Sequence, residues 1–281
     1  MIDALIQFDF MRYSVICGML IGILAPLIGT FIVVRRLSLI ADALSHVTLG
    51  GISFGMLLTK LVPAIVISPV WSGIAFSIIG ALLIERLRTV YKHYEELAIP
   101  IIMSLGIGLS VVFISLADGF NQDLFGYLFG SISAVTFSDL LTIAAIFLIV
   151  VCFVVLFYKE LFVLSFDEEY AQIIGVPRLL HILFMLVVAL VISASMRVVG
   201  ILLVSSLITL PVASAMRFAR GYKALMLWSV IFGEAAVIAG LILAFYMNIS
   251  PGGIIVLLLI VILLGSIIYQ KRREGGLVNE D

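Results

Sequence analysis

RRLSLIADALSHVTLGGISFG, residues 35–55, holds the conflict that decides the fold. From Leu39 onward it has the apolar, small-residue composition of a membrane-spanning helix, yet Asp42 and His46 stand inside it, four residues apart. A charged side chain in such a helix costs at least about 2.5–3.5 kcal/mol on insertion scales, so it normally faces a pathway or a partner. At i and i+4 the two share one helical face, their Cβ atoms about 5–6 Å apart. A carboxylate oxygen and an imidazole nitrogen are both good ligands for a first-row divalent cation. Ser45 and Thr48 add hydroxyls nearby, and Gly50, Gly51 and Gly55 give the small-xxx-small spacing that lets helices pack closely. The structural alternative is that Asp42 caps the helix and His46 hydrogen-bonds a neighbour. Two ligands from one helix make half a site. A two-fold dimer would double them to two carboxylates and two imidazoles, enough for a four-coordinate cation.

The rest of the chain fits a bilayer. Of the 281 residues, 64% are hydrophobic and 12% charged, where a soluble domain carries roughly 25% charged. The mean hydropathy is +1.33. The chain reads as a polytopic, all-α integral membrane protein. Cys17 and Cys152 are isolated in apolar runs and give neither a zinc spacing nor a disulfide framework. The N-terminal MIDALIQFDF has acids where a signal peptide has bases, so it reads against one.

A helix needs about 20 apolar residues to cross the hydrocarbon core. The pattern predicts nine spans at 13–34, 39–58, 63–84, 97–117, 137–158, 179–196, 198–216, 224–247 and 252–270. The sixth and seventh run together around Arg197 and could be one broken helix, which would leave eight. Alternating the nine puts 13 of the 16 Lys and Arg on one side, leaving only Arg12, Lys60 and Arg197 on the other. The positive-inside rule then places the C-terminus in the cytoplasm and the N-terminus outside, in a plasma-membrane protein.

Three segments do not span. ERLRTVYKHYEE, residues 85–96, is a charged cytoplasmic loop. DGFNQDLFGYLFGSISA, residues 118–134, reads as a short surface or re-entrant helix on the outer face, its apolar part too short to cross. KELFVLSFDEEYAQIIGVPRLL, residues 159–180, reads as a short cytoplasmic helix, started within Ser165–Glu169 and ended by Gly175 and Pro177. It leaves Tyr170, Ala171, Ile173 and Ile174 available to a partner. The tail KRREGGLVNED reads as a charged cytoplasmic end.

Among other candidates, Glu234 is an intramembrane acid, a possible pathway residue or a satisfied packing acid. His93 reads as solvated and His181 as a structural residue beginning a helix, with a ligand role the alternative for either. Pro26, Pro69, Pro211 and the Gly200 region mark kinked or broken helices. No phosphate loop, H-E-x-x-H, G-x-S-x-G or paired C-x-x-C motif is present, so neither ATP hydrolysis nor covalent catalysis is expected of this chain.

RRLSLIADALSHVTLGGISFG resembles the signature of the metal-ion permeases of ATP-binding-cassette importers, the zinc, manganese and iron family, with its Asp-Ala-Leu-Ser-His core intact at Asp42–His46. VGILLVSSLITLPVASA (199–215), YLFGSISAV (127–135) and FDEEYAQIIGVP (166–177) are similar to further family segments, in the family's order. The resemblance implies a single permease domain over residues 1–281 with a type II importer-like fold. It implies a homodimer that takes a divalent metal, manganese or zinc, from an extracellular solute-binding lipoprotein. Two ATPase subunits would dock on a coupling helix at about 166–176, through Asp167, Glu168, Glu169, Ala171, Ile174 and Gly175. Asp42 and His46 would take part in metal passage, with no permanently bound cofactor and no nucleic-acid partner. One departure is Ile99-Pro100, where relatives tend to have Ile-Gly. The rival class is a gradient-driven metal transporter or channel without an ATPase, which leaves the helix within 166–177 unexplained. A non-transporting membrane scaffold is a third reading.

Overall fold

The computed structural model describes residues 8–62, 68–117, 119, 122–131 and 133–277. All regular structure among them is helical. In chain order the helices are α1 (Asp9–Val34), α2 (Leu39–Leu61), α3 (Pro69–Val90), α4 (Ala98–Leu116), α5 (Gln122–Phe129), α6 (Phe137–Leu156), α7 (Tyr158–Phe166), α8 (Glu168–Ile173), α9 (Arg178–Val199), α10 (Ile201–Ala215), α11 (Tyr222–Met247) and α12 (Pro251–Leu277). A 3-10 turn, Glu95–Leu97, leads into α4. Eight helices among the described residues are long and apolar enough to cross a membrane, and α10, with 15 residues, is shorter.

α10 nevertheless occupies the place of the expected seventh span, 198–216. α9 begins with His181 beside Glu85 and Glu168, and ends with Arg197 beside Asp139. α10 then runs back, because Val212 and Ala215 pack with Val33 and Val34 at the opposite end of the bundle. A single residue, Gly200, separates the two helices, with φ +89°. Only glycine adopts that backbone freely, and a Cβ there would lie 2.4 Å from the Phe129 carbonyl carbon. The third span starts at Pro69, and the residues 63–67 expected to open it lie outside those described. The last helix runs on to Leu277, past the expected 270. Pro100 occupies the first turn of α4, where its missing N–H would have no intrahelical acceptor, so the departure at Ile99-Pro100 does not disturb helix entry.

The helices sort by burial. Two thirds or more of the apolar stretches of α1, α2 and α9 is buried, against 22% for α6 and α12. α1 is the hub, packed against α6, α9, α10 and α11. Its glycines allow this: a Cβ at Gly29 would lie 2.0 Å from the Ile208 carbonyl oxygen. On α2 the expected close packing appears as predicted. Gly51 and Gly55 lie against Ser72 and Phe76 of α3, and Gly50 lies against Gly106 of α4.

The turn from α1 to α2 is unusually well tied. Leu37 N–H donates to the Ile32 carbonyl at 3.0 Å and Arg36 N–H to the Val33 carbonyl at 3.0 Å, with Arg36 left-handed at φ +59°. This is a Schellman closure in which a non-glycine residue fills the position glycine usually takes. Arg36→Gly should therefore raise the folding stability of the detergent-solubilised protein by about 1 kcal/mol, read as a higher thermal midpoint.

Candidate functional site

Asp42 lies in the first turn of α2 and His46 one turn further, both half-buried. Their neighbours Ala41, Ala43, Leu44, Ser45 and Val47 are buried. Neither side chain has a hydrogen-bond partner among the described residues. The N-cap is Ser38, with no side-chain cap bond, so Asp42 does not serve as the cap. At 1.5 Å per residue, Asp42 lies about 5 Å and His46 about 11 Å from the start of a helix about 35 Å long. The pair therefore lies toward the Arg35 end, not at mid-membrane.

The backbone under His46 is held by α4. Ser110 Oγ donates to the His46 carbonyl at 3.2 Å, and a Cβ at Gly106 would lie 2.6 Å from the Val47 amide nitrogen and 2.9 Å from the His46 carbonyl carbon. Among the described residues no group of three or more His, Cys, Asp or Glu could hold a metal ion. One helix thus presents two candidate ligands, a carboxylate and an imidazole, of types that suit a hard or borderline divalent cation.

Glu234 is not brought to this pair. It lies on α11, against Gly22 of α1, and both carboxyl oxygens are buried without a hydrogen-bond partner among the described residues. α11 packs on α1, α10 and α12. His93 is exposed in its loop, as expected. At the far end of α2, a cavity of about 500 Å³ is bordered by Met56, Pro69, Tyr127, Ser131 and Arg197, among others. Arg197 is neutralised there by Asp139 at 2.7 Å and donates to the Tyr127 hydroxyl at 2.9 Å and the Ala134 carbonyl at 2.6 Å.

The expected short helix at about 166–176 is present as α8, Glu168–Ile173, shorter than predicted. Ser165 belongs to the preceding helix, donating to the Leu161 carbonyl. Asp167 starts α8, its Oδ1 accepting from the Tyr170 N–H at 2.8 Å. Tyr170, Ile173 and Ile174 are 53%, 80% and 49% exposed, and Glu169 and Gly175 are exposed as well. Ala171 is fully buried and so is not available to a partner, unlike the sequence expectation. Glu168 also departs from it: its carboxylate turns into the bundle, to Arg35, Arg88 and His181. Burial pushes the Glu168 carboxyl up, but the hydrogen bond and field of His181, then Arg88 and Arg35, outweigh it and hold the group well below the ordinary carboxylate range. This cluster was missed by sequence reasoning. Its one local signal is the i, i+3 pair Glu85 and Arg88, and its partners come from segments far apart in the chain.

Among the described residues, eight helices able to cross a membrane, a shorter apolar α10 after a break at Gly200, and an acid and a histidine presented together without partners are the features of a polytopic transport protein. Residues 7–270 match the ABC 3 transport family. The chain belongs to that family. It is 35% identical over 251 residues to a "Probable metal transport system membrane protein" of Treponema pallidum, covering 89% of this chain and 91% of the relative. It is 33% identical over 255 residues to the manganese import system permease protein ScaB of Streptococcus parasanguinis, covering 90% and 88%. Its fold is similar to PsaBC from Streptococcus pneumoniae, solved in complex with Fab, with a TM-score of 0.80, 30% identity, and 94% and 93% of the two chains covered.

Gly106→Ala should push backbone against backbone under His46 and cost about 1–3 kcal/mol. Its thermal midpoint should fall, whereas Gly108→Ala, whose Cβ would meet nothing within 4 Å, should leave it unchanged. A second expectation concerns pH. Because the folded carboxyl of Glu168 titrates below its ordinary value of 4.5, its contribution is full above that value and is lost as pH falls beneath it. Thermal midpoints measured from neutral pH into the acid range should converge for wild type and Glu168→Gln.

Proposed function

We propose that this chain is the membrane permease of an ABC importer carrying a divalent first-row metal, with manganese favoured over zinc. Family membership and relatives named for manganese import support the cargo class. The observation that carries the reading is the Asp42–His46 pair, unpartnered on one face of α2. Two such chains related by a two-fold axis would present four ligands, and loose binding by a carboxylate and an imidazole from each would let the cation pass rather than stay. ATP hydrolysis lies on two separate ATPase subunits, docked at α8 through Tyr170, Ile173 and Ile174, whose exposed apolar faces fit a groove on a soluble partner. The end of the bundle bearing Arg35, Arg88 and Lys223 is cytoplasmic, since most basic residues gather there. An extracellular solute-binding protein delivers the metal at the opposite end, beside the cavity near Arg197.

Uptake of manganese and zinc, each measured alone and in competition, in cells carrying this chain with its ATPase, tests the cargo. Asp42→Ala and His46→Ala should each lower uptake at least about tenfold while the ATPase still co-purifies. Wild-type uptake by a folded double variant would remove the pair from the pathway. Ile173→Asp should instead release the ATPase on co-purification, and an ATPase still bound would place docking elsewhere.

A further inference from the structure

At the end of the bundle next to α8, six ionisable side chains from five segments form one cluster. Arg35 extends from the α1–α2 turn, Glu85 and Arg88 from α3, Glu95 from the 3-10 turn, Glu168 from α8 and His181 from α9. Arg35 and His181 are 4% exposed at the side chain, and Glu85 and Arg88 12%. Glu168 is the member that joins α8 to the rest. Its Oε2 accepts from Arg35 Nη2 and from Arg88 Nη2, each at 3.2 Å, and its Oε1 lies 3.2 Å from His181 Nδ1. The imidazole bridges onward: Nδ1 also lies 3.0 Å from Arg35 Nη2, and Nε2 lies 2.9 Å from Glu85 and 3.0 Å from Arg88 Nη1. Arg88 is anchored outward to Glu95 at 2.6 Å.

We infer that Glu168 is the positioning residue through which a movement of α8 reaches the helix that carries Asp42 and His46. A six-residue helix has too few internal hydrogen bonds to set its own direction, so its tertiary ties set it. On its inner side those ties are the buried Ala171 and the Glu168 carboxylate, and the carboxylate alone is directional. Its partner Arg35 sits at the Schellman turn, whose paired backbone makes the end of α1 and the start of α2 one stiff unit. Asp42 is seven residues beyond Arg35, in the first turn of that unit. A displacement of α8 therefore pulls on the α1–α2 turn through a hydrogen-bonded charge pair, Arg35 4% and Glu168 36% exposed at the side chain, a contact that resists stretching far more than apolar surfaces resist sliding.

This inference rests on the reading of α8 as the ATPase-docking helix of a metal permease, and the test separates the two. The wild-type chain and its ATPase are reconstituted in vesicles, and manganese uptake and ATP hydrolysis are measured on the same sample, with ATPase stoichiometry and manganese binding alongside. In Glu168→Gln the ATPase should remain bound and manganese binding unchanged, while metal moved per ATP falls about fivefold or more. Glu168→Asp, which keeps the charge, should recover part of that ratio. Arg35→Lys, which keeps a charge but loses the forked geometry, should lower it as well. A wild-type ratio in folded Glu168→Gln or Arg35→Lys complexes overturns the inference. So does failure of both variants to assemble, which would make the cluster a folding element. Absence of manganese uptake or of ATPase binding in the wild-type complex would instead refute the functional reading beneath it.

Discussion

Arg35 places a guanidinium, 4% exposed, at the end of α1, and a guanidinium stays charged at any pH a cell meets. It cannot shed its charge to lie in an apolar bundle, so the surroundings must supply acceptors. Glu168 supplies one to Nη2, and the face of Phe184 lies beneath, its ring centroid 5.4 Å from the Arg35 Cζ, with His181 Nδ1 3.0 Å from Nη2. Each provider is thereby fixed. Glu168 holds α8, and His181 and Phe184 hold the first turns of α9. The rest of this end follows: Phe31 packs on Phe184 and on Tyr222, and Tyr222 on Phe162 and Phe166 of α7. One obligatory charge thus organises the helix ends around it.

The opposite end holds the Arg197–Asp139 ion pair and, beside it, close backbone packing. There the chain passes itself backbone to backbone: Ser131 N–H donates to the Arg197 carbonyl at 3.1 Å, Ser250 Oγ donates to the Phe129 carbonyl, and a Cβ on Gly252 would lie 1.9 Å from the Val199 carbonyl oxygen. α5 ends in this crossing, so a helix too short to span is seated on α9, α10 and α12. The permease has one end tied by a six-member charge cluster and one end where a single ion pair accompanies packing over glycine. The first kind of joint is stiff and directional, while the second permits a sharp reversal at Gly200 within a single residue.

Most of this architecture was legible because a bilayer makes residues declare themselves. Apolar length marked the eight long spans, and α10 stands where the expected seventh was read, though it is shorter. A helix start within Ser165–Glu169 and a stop at Gly175 and Pro177 were visible because caps act locally. The Gly51 and Gly55 face of α2 was visible because its spacing is helical. What was hidden is whatever depends on distant segments meeting. His181 looked like an ordinary helix-start residue because Arg35, Glu85 and Glu168 are 146, 96 and 13 positions away in the chain. Glu168 looked like an outward acid in an acidic run, and only the packing of α8 turns it inward. Ala171 was assigned to the partner-facing side for the same reason, since a six-residue helix does not show from its sequence which side it buries. The sequence left the membrane depth of Asp42 open, and the structure sets it in the first turn of α2, near Arg35.

The brevity of α10 has an electrical meaning. At 1.5 Å per residue its 15 residues reach about 22 Å, short of the roughly 30 Å of a hydrocarbon core. Were water to fill that shortfall from the end where α5 and the cavity beside Arg197 lie, the insulating layer along α10 would be thinner than the membrane. A transmembrane voltage dropped over a thinner layer gives a steeper field. Because 100 mV is worth about 2.3 kcal/mol per elementary charge, a doubly charged ion would feel about twice that, over fewer ångströms than the lipid alone would impose.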